Sequence, residues 1–194
     1  MQLLLVVCLA LAATNTPSAT TAGKSWTGRL VTKTPSLVTW LIDGTNLACS
    51  RHVPGDREAL VERLQEIASP IGTSAADDDG TTIVTNVVLV FDGDEDEVFS
   101  KSTFGWFQQI VTDGKGKVKD RADDHIVQHV LPELQQLNGR VHLVSADKEL
   151  GKRVQASGVM KGGSMVHPPK FWKEYLPNLQ QRRQVQAQQR KKSM

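Results

Sequence analysis

Cysteine is almost missing from this chain: Cys8 and Cys49 are the two it carries. Cys8 lies in an apolar leader expected to be removed, which leaves Cys49 without a partner and excludes an intramolecular disulfide in the mature protein. An organelle interior suits such a chain better than an extracellular setting. No histidine is placed to activate Cys49, so a packed or neutral thiol is expected. The histidines at 52, 125, 129, 142 and 167 form no zinc spacing with either cysteine. A phosphate-cradling glycine loop is also lacking, since Lys161-Gly162-Gly163-Ser164 does not have the P-loop spacing. The segment from Asp92 to Glu97 begins like a calcium loop, but Glu97 stands at the glycine position and Thr103 at the closing glutamate position, which excludes an EF-hand.

Acid is absent from both ends. None occurs before Asp43 or after Glu174, while acids crowd at 77–79 and 92–97 and the C-terminus carries Arg182, Arg183, Arg190, Lys191 and Lys192. The net charge of +2 hides this asymmetry. An acidic centre between basic ends suits a polyanion gripped by cations and cut at a metal. Residues 1–13 are apolar but short for a bilayer span, and they end in small residues like a signal peptide. Residues 14–36 are rich in Thr and Ser, contain Lys24, Arg29 and Lys33, and read as a transit segment. This order resembles the bipartite leaders of nucleus-encoded plastid proteins; secretion and mitochondrial import are the alternatives. The expected organisation is a leader over 1–36, a domain over 37–178 and a basic tail over 179–194, with no membrane attachment in the mature form.

What is present is a set of short β-rich runs that each stop at an aspartate: 37–42 before Asp43, 87–91 before Asp92, and 141–145 before Asp147. Nearly continuous Val and Leu in the second run implies burial on both faces, hence a parallel sheet. Intervals of about fifty residues leave room for crossovers, which would bring the three aspartates to one C-terminal edge, where such sheets place their sites. Asp123-Asp124 opens a helical pattern over 121–137, in which Pro132 implies a kink or break near 129–131. Further helices are expected over 57–68, 148–157 and from Pro168 onward, and a strand near 107–112. Carboxylates gathered this way repel one another and raise each other's pKa unless a cation neutralises them. Oxygen donors select Mg²⁺ or Mn²⁺, with phosphate completing the shell. Lys115, Lys117, Lys119, Lys148, Lys152 and Arg153 are candidate phosphate contacts.

The sequence Ile42-Asp43-Gly44-Thr45-Asn46-Leu47, then Val90-Phe91-Asp92-Gly93, Ala122-Asp123-Asp124-His125-Ile126 and Val144-Ser145-Ala146-Asp147 resembles, in order and spacing, the YacP-like branch of the NYN domain family. These are PIN-like, metal-dependent ribonucleases. The resemblance covers about 37–175 and implies a three-layer α/β fold with a central, mainly parallel sheet flanked by helices. It also implies an endoribonuclease using one or two Mg²⁺ or Mn²⁺ ions to activate water and stabilise the leaving oxygen, giving 5′-phosphate and 3′-hydroxyl ends. Carried across, Asp43 is the central metal ligand and Asn46 its supporting polar group. Asp92, Asp123 and Asp147 complete the acidic pocket, Asp124 is a second candidate beside Asp123, and Ser145 is expected to hydrogen-bond a carboxylate. The implied partners are messenger or ribosomal RNA and the ribosome. A non-catalytic RNA- or ribosome-binding module is the competing reading.

Overall fold

The computed structural model describes residues 36–68, 75–76, 82–115 and 121–193. The leader expected over 1–36 lies outside them but for Ser36, as do the aspartates at 77–79, Lys117 and Lys119.

The first apolar run becomes β1 (Ser36–Asp43), buried from Thr39 onward. It is central because it pairs in parallel on both sides, with β3 (Thr82–Phe91) and with β6 (Gly139–Val144). β5 (Phe107–Val111) adds in parallel to β3, and β7 (Met165–Val166) adds in parallel to β6. β4 (Ser100–Phe104) closes one edge antiparallel to β5, and the two-residue β2 (Ala75–Ala76) pairs with the start of β3. The strand order is therefore 4-5-3-1-6-7.

Helices cover both faces. Strand alternation sends Trp40, Ile42, Val87, Leu89 and Phe91 to one side. There they pack with Leu47 of α1 (Gly44–Ala48), with Leu60, Leu64 and Ile67 of α2 (Arg57–Ile67), and with Phe171 and Leu176 near the C-terminus. Leu41, Val88, Val90 and Leu143 go to the other side. They meet Ala122 of α3 (Arg121–His125), Leu131 and Leu134 of α4 (Leu131–Gln135), and Leu150 and Val154 of α5 (Lys148–Ala156). This is a three-layer, mainly parallel α/β architecture: the apolar runs implied the parallel sheet, and the family resemblance implied the layers.

The break expected at Pro132 is instead a change of helical register. A π-helical turn, Ile126–Val130, joins α3 to α4, and the Leu131 N–H donates to the Ile126 carbonyl. Proline has no N–H and its ring crowds the carbonyl four residues back, so widening the preceding turn keeps the helix continuous. The same device recurs before Pro177. There α6 (Pro168–Lys170), a π turn (Phe171–Tyr175) and α7 (Leu176–Ser193) follow one another. α7 runs through the expected boundary at 178/179. Leu179 packs on the core, Gln180 Nε2 donates to Glu66 Oε2 at 2.7 Å, and the Arg183 guanidinium donates to the Ala68 carbonyl. Cys49 is free and exposed rather than packed, because α1 ends after little more than one turn and Cys49 caps it. Among the described residues no helix is long and apolar enough to cross a membrane.

Candidate active site

Register decides which side chains meet at the C-terminal edge of the sheet. Ile42 lies opposite Val144, so the next residues along, Asp43 and Ser145, are neighbours. Both continue the alternation of Leu41 and Leu143 and project toward the face covered by α3 and α5. Ser145 is fully buried; its Oγ donates to Asp43 Oδ2 at 2.9 Å and accepts the Asp147 N–H at 3.0 Å. Asp43 is 4% exposed and caps α1, its Oδ1 accepting the Asn46 N–H at 3.0 Å. Asn46 in turn accepts the Ala146 N–H through Oδ1 at 3.2 Å. The turn after β1 and the turn after β6 are thus sewn together by Asp43, Asn46 and Ser145.

β3 extends one residue past the point where Asp43 faces Val90, so Asp92 emerges beside that clamp. Its N–H donates to Thr45 Oγ1 at 2.9 Å, and its Oδ1 accepts the Ala122 N–H at 2.8 Å. Asp92 therefore satisfies an orphan donor at the start of α3 while it faces the site. Asp147 does the same for α5, its Oδ1 accepting from the N–H groups of Glu149 and Leu150 at 2.6 and 3.0 Å. Asp123, half-buried, follows Ala122 in the first turn of α3. Asp124 is engaged by Arg153 of α5, Oδ1 to Nη2 2.7 Å, so the second candidate acid and one candidate phosphate contact pair with each other. Lys152 pairs with Glu149 at 3.1 Å, while Lys115 and Lys148 are exposed.

Electrostatics single out Asp43. Burial raises its pKa above the ordinary 3.8, the Asn46 N–H and Ser145 hydroxyl pull it back, and the charges of Asp92 and Asp147 raise it further. Asp43, Asp92 and Asp147 therefore share one electrostatic neighbourhood, fed by three separate segments. His125 is half-buried against Phe99 and His129, with ring centroids 5.4 and 4.8 Å away, and burial holds its pKa low.

Several supporting residues carried no sequence signal of their role. The Thr45 hydroxyl anchors the Asp92 backbone. Arg57 of α2 reaches across to Glu97 Oε1 and the Asp92 carbonyl, and its guanidinium lies 4.9 Å from the Phe91 ring centroid. Buried Thr112 accepts the Gly93 N–H, and Arg121 donates to the Gly93 carbonyl at 3.1 Å. Gly93 itself is obligatory: a Cβ there would lie 2.0 Å from the Thr112 carbonyl oxygen. Gly44 is constrained from the opposite side, with the Phe91 ring 2.6 Å from where its Cβ would stand. Only the proximity of Gly to strand-end Asp hinted at this packing.

Among the described residues no three His, Cys, Asp or Glu side chains are grouped so that they could hold a metal ion. Among the described residues, the Ala122 N–H donates to Asp92 through Oδ1, and the Glu149 and Leu150 N–H groups donate to Asp147 through Oδ1. A carboxylate has about four lone-pair sites, so each keeps capacity for a cation. The donor set fits a hard ion that takes one or two carboxylates and keeps its remaining waters, and it does not fit an ion requiring three protein ligands.

No family model and no curated protein matches the chain. Among solved structures it is similar to a mutant of Rae1 (YacP) from Bacillus subtilis, at 17% sequence identity and a TM-score of 0.47, covering 74% of this chain and 77% of that one.

Proposed function

We propose that this protein is a metal-dependent endoribonuclease acting at the carboxylate edge formed by Asp43, Asp92, Asp123 and Asp147. The observation that carries the reading is the buried Asp43. It is oriented by Ser145 and Asn46 and made costly to ionise by burial and by the charges of Asp92 and Asp147. Carboxylates perturbed by burial together with neighbouring like charges cluster at functional sites. The sequence resemblance to YacP-like NYN ribonucleases supplies the substrate class.

Asp43 and Asp147 would hold Mg²⁺ or Mn²⁺, with Asp92 reaching it through water, and the ion would supply a lowered water pKa and charge neutralisation at the phosphodiester. Ser145 and Asn46 fix the direction of the Asp43 oxygens. Thr45 and Ala122 fix Asp92 through its N–H and Oδ1, respectively. Asp123, in the first turn of α3, is assigned to orient the attacking water. Lys115 and Lys148, exposed, are assigned to phosphate contacts, which makes binding salt-dependent.

One observation favours a second reading, an RNA- or ribosome-binding module without turnover: the absence of a three-ligand group among the described residues. Incubating the chain with labelled RNA, with and without Mn²⁺, separates the two. The enzyme gives Mn²⁺-dependent internal cleavage that Asp43→Asn abolishes with RNA affinity retained. The binding module gives equal affinity and no cleavage in either protein.

A further inference from the structure

A cavity of about 500 Å³ lies at the opposite end of the sheet and on the opposite face from the carboxylates. Its floor is Val38 and Trp40 of β1, whose side chains share the parity of Ile42 rather than of Asp43. Val38 precedes Asp43 by five residues, about 16 Å along a strand. Tyr175 and Asn178 wall it from the C-terminal helix, and two exposed arginines, Arg140 at the start of β6 and Arg182 of α7, stand at its rim.

The chemistry of this lining is one-sided. Among the described residues no acid lines the cavity, and neither Arg140 nor Arg182 is in an ion pair. A third cation, the Lys170 ammonium, lies 6.0 Å from the Tyr175 ring centroid. Trp40, 4% exposed, is stacked on His142 at 4.7 Å and backs Tyr175 edge to face at 5.4 Å, so the half-buried Tyr175 is the ring that offers surface beside the guanidiniums. Unpaired guanidiniums fit phosphate oxygens, and aromatic side chains give bases a stacking surface. The volume is within the range of small-ligand sites. We propose that this cavity binds a nucleoside monophosphate, with the phosphate between Arg140 and Arg182 and the base against the Tyr175 ring. The site is independent of the carboxylate edge and of any cleavage there.

Calorimetric titration of the full chain with AMP in the presence of EDTA tests it, with adenosine and inorganic phosphate as partial probes. AMP is expected to bind saturably at one site, and Arg140→Gln and Arg182→Gln each to weaken it on the order of tenfold, the worth of a charge-assisted hydrogen bond. Both arginines are exposed, so neither change is expected to compromise folding. Adenosine and phosphate alone are expected to bind at least as much more weakly, and Asp43→Asn to leave AMP binding unchanged. The proposal is overturned by no binding up to about 1 mM AMP, by unchanged affinity in both arginine variants, or by phosphate binding as well as AMP, which marks an anion site only. Loss of AMP binding in Asp43→Asn also overturns it, because the ligand then occupies the carboxylate edge.

Discussion

Asp43 carries a penalty that its own neighbours only partly offset. A carboxyl whose pKa is higher in the folded than in the unfolded state holds its proton more tightly when folded. Its contribution to stability is therefore fully present below its unfolded value, near 3.8, and is lost as pH rises through the raised folded value. Asp43→Asn removes that loss and keeps an acceptor for the Asn46 N–H. The variant is expected to be more stable than the parent at neutral pH, by about 0.5–2 kcal/mol, with a flatter pH dependence above 3.8 in urea titrations. Equal stability of the two proteins from pH 4 to 7 would count against the buried, repelled carboxylate. Ser145→Ala acts oppositely. It removes a hydroxyl that lowers the Asp43 pKa and also accepts the Asp147 N–H. A loss of about 1–3 kcal/mol is expected, with the Asp43 carboxyl titrating at still higher pH by NMR. Strand-end aspartates were legible in the sequence because an apolar run stopping at Asp is a local pattern. Thr45, Arg57 and Thr112 were not, since their roles exist only once β3, α2 and β5 are side by side.

Asp147 holds two roles at once, and they are separable. It accepts two N–H bonds as the cap of α5 and contributes charge to the Asp43 neighbourhood. Serine can cap but carries no charge. Asp147→Ala is expected to lose about 1 kcal/mol, and Asp147→Ser only a few tenths, while both lose Mn²⁺-dependent RNA cleavage. Paired urea unfolding and cleavage assays check this; cleavage surviving in Asp147→Ser confines the residue to capping. The cap was legible because Asp147 precedes an amphipathic run, and the α5 boundaries followed from it and from Gly158, which adopts φ +74°. β4 was not legible. All five of its residues are exposed, so it has no apolar alternation, and it exists through pairing with β5. Pro132 correctly marked an irregularity, but a π turn absorbs it because Ile126, Val130, Leu131 and Leu134 are already buried along one face.

Taken as one molecule, the sheet concentrates like charge where parallel strands end. The sequence could place aspartates at strand ends, yet the order 4-5-3-1-6-7 and the shared face of Asp43 and Ser145 depend on register, which no single segment encodes. The fold must therefore hold together three acidic segments whose mutual repulsion opposes the native arrangement, and a cation held there as proposed would relieve that repulsion only in the folded state. At a hundredfold excess over its Kd such an ion adds about 2.7 kcal/mol, which for a domain of this size raises Tm by about 5–10 °C. Thermal unfolding with Mn²⁺ and with EDTA is expected to show that rise in the parent protein. In Asp43→Asn the rise is expected to shrink to a small fraction, although that variant starts from the higher baseline argued above. The two effects have opposite signs because they share one cause. On the proposed reading the carboxylate that destabilises the metal-free fold is the one a cation would neutralise, so removing it raises the baseline and abolishes the response together. An equal Mn²⁺ shift in both proteins would place the ion elsewhere on the surface and detach the Asp43 cluster from metal chemistry.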